Sequence, residues 1–113
     1  REGKPWVAIG TPGGHTIGQT VPQMVMNLID FEMDIQQAIA APRISFIEPD
    51  WLAVEEKISE SVRNELQAMG HKIRTVRGLG NAHGLAIEYG KNGKPVRFTG
   101  GADPRGQGSA KGL

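Results

Sequence analysis

One segment of the chain combines residue types and a spacing that could do chemistry. Residues 10–16 read GTPGGHT, between an apolar stretch and a helical pattern. Glycine turns the chain sharply and leaves its backbone N–H uncovered by a side chain. N–H groups at the start of a helix favour negative charge. Gly13 and Gly14 therefore suit either an anion cradle, for a bound phosphate or a developing oxyanion, or a plain tight turn.

Known nucleotide and metal motifs do not fit this segment. No Gly-Lys-Ser/Thr follows the glycines, and GxGxxG is absent, so neither nucleotide fingerprint is present. His15, His71 and His83 share no metal-ligand spacing. We therefore predict no metal and no cofactor. A cation is disfavoured in the first turn of a helix, so we expect a neutral imidazole at His15 and leave its role open.

Chain length, charge balance and cysteine content limit the class of protein. The chain has 113 residues, 13 basic and 12 acidic, with no cysteine. This length suits one small domain, and the charge balance gives no reason to expect nucleic acid or a membrane surface as a partner. No apolar run is long enough to span a bilayer, so we expect no membrane contact from this chain. Because residues 1–9 look like a chain that starts inside a β-hairpin, we expect a fragment, with residues 1–113 forming a single partial domain.

The glycine segment must be positioned by the elements beside it. Residues 6–9 predict a short buried strand before it. A helix follows, with apolar residues at helical spacing: Ile17, Val21, Met24, Val25, Leu28 and Ile29. Pro22 interrupts this pattern, because it would clash with the carbonyl of Gly18. Thr20 with Gln23 resembles a capping box. The helix is therefore expected to kink near Gly18 or to restart at Thr20.

Further elements follow along the chain. Asp34 with Gln37 predicts the start of a second helix, which ends before Pro42. A third helix begins at Ser59 and ends at Gly70. Its apolar face is predicted to be core, like those of the other two helices: Val62, Leu66 and Met69.

The remaining segments predict strands and a loop. The pattern favours strands at 44–46, 51–54 and 73–76, a hairpin of 85–89 with 96–98 around an Asn-Gly turn, and a loop over 100–113. The order predicts an α+β fold in which strands from both ends of the chain share one sheet that helices cover.

Two charged positions leave alternatives open. Asp103 and Arg105, on either side of a proline, could form an ion pair that holds the C-terminal segment or could be solvated at the surface. Arg43 directly follows Pro42 and could be a buried anchor or an exposed charge. The sequence alone does not decide between these interpretations.

Several blocks together resemble one family. The chain is similar to the C-terminal part of the small subunit of γ-glutamyltranspeptidases (glutathione hydrolases). The matching stretches are GTPGG at 10–14, QMVMNLIDF at 23–31, AAPR at 40–43, LQAMGH at 66–71 and GADPR at 101–105. They run in the family's order and at its spacing over nearly the whole chain.

The resemblance implies an N-terminal nucleophile hydrolase, an αββα sandwich whose precursor cleaves itself into two subunits. The new N-terminal threonine attacks a γ-glutamyl amide and forms an acyl-enzyme. Carried over to this chain, the backbone N–H groups of Gly13 and Gly14 match the family's oxyanion hole, as catalytic and substrate-binding groups. The nucleophile has no counterpart in this chain, which is therefore expected to be inactive alone.

The resemblance also implies partners. These are a γ-glutamyl substrate such as glutathione, the large subunit and the N-terminal part of the small subunit, and we expect the fragment alone to self-associate. The family is often periplasmic or extracellular, and the sequence leaves the compartment open. His15 departs from the small hydroxyl residue commoner after the glycine pair, and it could narrow the pocket. Related acylases that cleave glutaryl-cephalosporins are the nearest alternative, and a non-catalytic anion-binding module is another.

Overall fold

The structure, a computed structural model, describes residues 1–112 and has an α+β fold, as predicted. Its elements are β1 (Val7–Gly10), a 3₁₀ turn (Gly14–Thr16), α1 (Ile17–Ile29), α2 (Ile35–Ala40), β2 (Ile44–Ile47), β3 (Trp51–Glu55), α3 (Glu60–Ala68), β4 (Lys72–Val76), β5 (His83–Tyr89) and β6 (Pro95–Ala102). Most predicted elements are present within one or two residues of their expected ends.

The first sheet joins strands from the two ends of the chain, as the sequence predicts. Its order is β1-β5-β6, all antiparallel. Helices α1 and α2 pack against it around one apolar core: Met24, Leu28, Ile35, Ala38, Ile39 and Ala82. Gly84 and Gly101 lie side by side where α2 approaches the sheet. A Cβ atom on either would come within 3 Å of an Ile35 or Ile39 side-chain atom, so these glycines set the helix–sheet distance.

The second sheet has the order β2-β3-β4, and α3 connects the parallel strands β3 and β4. Ser59 caps α3 and Gly70 ends it with a positive φ, as predicted. The prediction that its apolar face is core is wrong: Val62 is 44% exposed and Met69 is 72% exposed. Helix α3 packs along β4 at the margin of the sheet, and none of its own residues is buried within the described residues 1–112.

Helix α1 does not restart at Thr20, as one of the two predicted alternatives required. It runs from Ile17 through Pro22 without a restart. Thr20 is buried inside the helix, where its hydroxyl donates to the Thr16 carbonyl oxygen, so it is not a cap. Pro22 is tolerated because the carbonyl that loses its partner belongs to Gly18, which is exposed to water.

The predicted C-terminal loop is also too long by three residues. Strand β6 continues through Ala102, because Gly100 and Gly101 pair with Leu85 and Gly84 of β5. Residues 103–112 form turns, bends and irregular chain, and the last predicted loop position, 113, lies outside the described residues. No helix within residues 1–112 is long and apolar enough to cross a membrane.

Candidate functional site

The glycine pair forms a tight, directed turn at the start of α1. Gly13 has φ 142° and Gly14 has φ 57°, both in the region that favours glycine. The Gly13 carbonyl oxygen accepts hydrogen bonds from the Thr16 N–H (3.1 Å) and the Thr16 hydroxyl (2.8 Å). In a trans peptide the C=O and the following N–H point in opposite directions. The Gly14 N–H therefore points away from the helix.

Both glycine N–H groups are without an acceptor in the part of the chain that the structure describes. Neither donates a hydrogen bond to any group in residues 1–112, and both residues are exposed. They lie at the start of a continuous helical segment, in which the 3₁₀ turn that begins at Gly14 leads into the 13-residue α1. The positive end of a helix and two uncovered donors together favour an anion at this point. The arrangement can therefore stabilise negative charge that develops on a nearby oxygen.

The two glycines differ in the room around them. A Cβ at Gly13 would lie 2.3 Å from the Thr16 hydroxyl oxygen, whereas a Cβ at Gly14 would meet nothing within 4 Å. Gly13 is therefore required by both backbone angle and close packing. Gly14 is required by its positive φ alone. Another L-residue at this backbone angle would destabilise the fold by about 1–2 kcal/mol.

Thr11 fixes the start of the glycine loop. Its side chain is buried, and its hydroxyl oxygen accepts a hydrogen bond from the Asn81 N–H at 2.9 Å. The contact joins positions 70 residues apart in sequence. The loop therefore depends on the segment 79–82, whose role the sequence analysis did not predict.

Segment 79–82 is in turn held by buried charged side chains. Arg43 donates to the Leu79 carbonyl at 2.6 Å, and the Leu79 N–H donates to Glu55 at 2.6 Å. The Ala82 N–H donates to Asp103 at 2.7 Å. Because these bonds go to backbone atoms on both sides of Asn81, they fix the donor that Thr11 needs.

Four charged residues form this buried charge cluster: Arg43, Glu55, Asp103 and Arg105. Asp103 lies 2.9 Å from both guanidinium groups, and Arg105 also binds Glu55. Both arginines donate to the Ile39 carbonyl at the end of α2. The two open questions are thus settled: Arg43, 1% exposed, is a buried anchor, and Asp103 pairs with Arg105. Two positive and two negative charges give the cluster no net charge.

The pKa values in the cluster follow from this arrangement. Burial would raise the pKa of Asp103, but hydrogen bonds from Ala82 and Arg105 and the charge of Arg43 hold it below its ordinary value. Burial, together with repulsion from Arg105, lowers the pKa of Arg43. Burial also acts to lower the pKa of Arg105, yet its bonds to Glu55 and Asp103 raise it. The Asp103 carboxylate therefore stays charged to a lower pH than an ordinary aspartate does.

Helix α1 also holds the second sheet through two glutamines one turn apart. Gln23 accepts from the Ile44 N–H (2.9 Å) and donates to the Ile44 carbonyl (2.8 Å). Gln19 makes the same two contacts with Phe46, at 2.5 and 3.4 Å. These side chains stand in for a neighbouring strand at the edge of β2. We refer to Gln19 and Gln23 as the glutamine clamp. Their i, i+4 spacing is visible in the sequence, but the strand that they bind is not.

Residues 1–112 contain no cluster of three or more potential metal ligands. His15 is exposed on the 3₁₀ turn and faces a cavity of about 550 Å³ beside β2. Of the residues singled out in the sequence, the structure thus brings Gly13, Gly14 and His15 to one exposed turn. It gives Arg43, Asp103 and Arg105 a supporting position behind it.

Comparison with known proteins places the whole chain in one family. The family model described as gamma-glutamyltranspeptidase matches residues 1–113. The chain belongs to the γ-glutamyltranspeptidase family. It is 35% identical over 106 residues to the glutathione hydrolase proenzyme of Escherichia coli. The matched region covers 93% of this chain and 17% of the E. coli protein. It is 36% identical over 112 residues to an acylase ACY 1 proenzyme of Pseudomonas sp. strain V22, covering 89% of this chain and 20% of the relative.

A solved structure shares the fold. An acivicin-inhibited γ-glutamyltranspeptidase superposes with a TM-score of 0.86 at 33% identity, covering 95% of this chain and 57% of that one. The α+β architecture is thus that of γ-glutamyltranspeptidases and related acylases, the N-terminal nucleophile hydrolase fold. The chain spans about a fifth of the length of the curated relatives it matches.

Proposed function

We propose that this chain supplies the oxyanion hole of an enzyme that cleaves γ-glutamyl amides, through the N–H groups of Gly13 and Gly14. The observation that carries the proposal is their geometry: two adjacent donors, exposed and without partners in residues 1–112, at the start of a helical segment. In this role the Gly14 N–H, directed away from α1, meets the oxygen of the tetrahedral intermediate. The family match over the whole chain supports the reaction class.

The nucleophile in this proposal is a threonine outside these 113 residues. It attacks the amide carbonyl, the amine leaves, and water or an acceptor amine resolves the ester. The relatives' designation as proenzymes supports a partner subunit made from the same precursor. Oxyanion donors alone have no intermediate to stabilise. The 113-residue chain on its own is therefore expected to lack amidase and transferase activity.

Mass spectrometry of the trapped intermediate tests the proposal. The mature full-length enzyme is quenched in acid during turnover of a γ-glutamyl anilide, then digested. The acyl mass is expected on a threonine peptide from outside this chain, with no added mass on residues 1–113. Acyl groups on a residue of this chain, or sustained turnover by the purified chain alone, would contradict the division of roles.

An acylase is the second candidate, because an acylase proenzyme is as similar to this chain as the glutathione hydrolase is. His15 beside the glycine pair is a specific feature that could alter the acyl pocket. Glutaryl and γ-glutamyl anilides differ only in the α-amino group, so comparing their kcat/KM values isolates its contribution. A higher kcat/KM for the γ-glutamyl substrate supports a γ-glutamyl enzyme, and the reverse order supports the acylase.

A further inference from the structure

Two threonine side chains hold the carbonyl groups that flank the Gly13 Cα atom. The Thr11 hydroxyl donates to the Pro12 carbonyl oxygen at 3.1 Å. The Thr16 hydroxyl donates to the Gly13 carbonyl oxygen at 2.8 Å. Each carbonyl shares a peptide group with one of the two proposed oxyanion donors. The Pro12 carbonyl is joined to the Gly13 N–H, and the next carbonyl along the chain is joined to the Gly14 N–H.

The planarity of the peptide group links each of these carbonyl bonds to the direction of an N–H. Both peptide groups are trans, because the one cis peptide bond in residues 1–112 precedes Pro49. In a trans peptide the N–H points opposite to the C=O, so a hydroxyl that holds the oxygen also fixes the N–H. The ψ angle of Gly13 is 13°, and a ψ near zero brings the nitrogens of Gly13 and Gly14 to the same side of the Cα–C bond.

The direction of the Thr11 hydroxyl proton is itself fixed by the fold. The Thr11 side chain is buried, and its oxygen accepts from the Asn81 N–H at 2.9 Å. Its single proton is therefore left for the Pro12 carbonyl, which accepts from no other donor in residues 1–112. Gly80 permits this close approach, because a Cβ there would lie 2.6 Å from the Thr11 hydroxyl oxygen.

Thr16 holds the second carbonyl with two groups. The Gly13 oxygen accepts from the Thr16 N–H at 3.1 Å as well as from the hydroxyl. The hydroxyl occupies the space that a side chain at Gly13 would need, since a Cβ there would lie 2.3 Å from it. Without the hydroxyl the backbone bond remains, so the Gly14 N–H would lose only part of its restraint.

We infer that Thr11 and Thr16 are positioning residues for the proposed oxyanion hole. Thr11 aims the first N–H, that of Gly13, and Thr16 aims the second, that of Gly14. The inference rests on the proposed function of the glycine pair. Neither hydroxyl has to touch the substrate, because each proton is already donated to a carbonyl. A hydrogen bond weakens steeply as it bends, so donors that are free to rotate would stabilise the oxyanion less.

Threonine-to-valine variants of the mature full-length enzyme remove each hydroxyl and keep the branched shape of the side chain. On γ-glutamyl-p-nitroanilide, Thr11→Val should lower kcat about 10–30-fold and Thr16→Val about 3–10-fold, with little change in KM. Both losses are smaller than the loss of a whole donor. Thr11→Ser and Thr16→Ser keep the hydroxyl and should restore kcat to within about two-fold of wild type. Thr16 is half-buried, so its variants test the inference independently of buried Thr11.

Thr20→Val is the matched control. It makes the same change at a buried threonine, whose hydroxyl donates to the Thr16 carbonyl oxygen at 3.0 Å. That carbonyl shares its peptide with the Ile17 N–H, which already donates to the Gly14 carbonyl inside the helical segment. Thr20→Val should therefore lower the melting temperature and leave kcat unchanged.

Esters at the two glycines separate the aiming of an N–H from a general effect on structure. Glycolic acid in place of Gly14 removes the N–H that Thr16 aims, so Thr16→Val should lower kcat no further in that background. Thr11→Val should keep its full effect there, because the Gly13 N–H remains. The pattern should reverse when glycolic acid replaces Gly13, since coupled residues are non-additive and independent ones are additive.

The possible failures are distinguishable. If both valine variants keep wild-type kcat while the Gly14 ester slows the enzyme, the glycine donors act without the hydroxyls and the inference is wrong. The inference is also wrong if Thr16→Val lowers kcat by the same factor with and without the Gly14 N–H. A wild-type kcat in the Gly14 ester would instead overturn the proposed oxyanion hole, and the positioning roles with it.

Discussion

Asp103→Asn should loosen the support of the glycine loop, because the Asp103 carboxylate joins four donors. It accepts from the Ala82 N–H (2.7 Å), the Arg105 N–H (3.0 Å) and the Arg105 side chain (2.9 Å), and it pairs with Arg43 at 2.9 Å. An asparagine keeps one accepting oxygen but turns an NH₂ group, which can only donate, toward the remaining donors. At least one arginine contact is therefore lost in a site that water does not reach.

The magnitude follows from burial. Arg43 and Asp103 are each 1% exposed, and removing one partner of such a pair costs about 3–5 kcal/mol. A cost of about 3 kcal/mol raises the opening equilibrium of the surrounding segment about a hundred-fold. The Ala82 N–H donates directly to Asp103, and Asn81 beside it holds Thr11. Faster exchange is therefore expected at residues 79–82.

Hydrogen exchange of the mature enzyme, followed by mass spectrometry, measures this opening segment by segment. Asp50→Asn is the matched control, because it makes the same chemical change in a solvent-exposed ion pair. The side chain of Asp50 is 49% exposed, and that of its partner Lys72 is 59% exposed. That pair should contribute under about 1 kcal/mol. If Asp103→Asn exchanges at residues 79–82 no faster than Asp50→Asn, the cluster does not hold the loop and the argument from burial is wrong.

Three further predictions concern stability. The pKa of Asp103 in the folded protein lies below its ordinary value. Its contribution to the free energy of unfolding is therefore complete above about pH 4 and is lost as the pH falls through the folded pKa. The difference in urea midpoint between wild type and Asp103→Asn should be constant from pH 5 to 8 and should become smaller in acid. Gln23→Ala removes two hydrogen bonds to β2 and should cost about 2 kcal/mol in urea unfolding, whereas Gln67→Ala on exposed α3 should cost under about 0.5 kcal/mol. Gly13→Ala should lower the melting temperature more than Gly14→Ala, since only the first meets a side-chain oxygen; equal shifts would contradict the turn geometry.

Local signals predicted most of the elements. The capping box of Asp34 with Gln37, the Ser59 cap and the positive φ of Gly70 are all present, because each depends on residues a few positions apart. The glycine pair was identified for the same reason. At Pro22 the local rule failed, because the carbonyl that it leaves unpaired belongs to exposed Gly18.

Long-range contacts could not be read from spacing. Gln19 and Gln23 lie one turn apart on α1, but their partners lie 27 and 21 residues away on the edge of β2. The Thr11 hydroxyl depends on the Asn81 backbone. Glu55 directly follows the strand predicted at 51–54, yet its buried carboxylate accepts from the Arg105 side chain and from the Leu79 N–H. Periodicity predicts which face of an element is apolar, and tertiary packing decides which polar groups meet.

The most direct test of the oxyanion assignment removes the Gly14 N–H. Replacing Gly14 by glycolic acid in the mature enzyme converts the peptide bond to an ester without adding a side chain. Glycolic acid at Gly3, an exposed glycine with φ 74° and no neighbour within 4 Å of a Cβ, is the matched control. We expect kcat on a γ-glutamyl anilide to fall about 10²–10³-fold for the ester at Gly14, with little change in KM, and to be unchanged for the ester at Gly3. A kcat at Gly14 within a few-fold of wild type would show that the loop is only a turn.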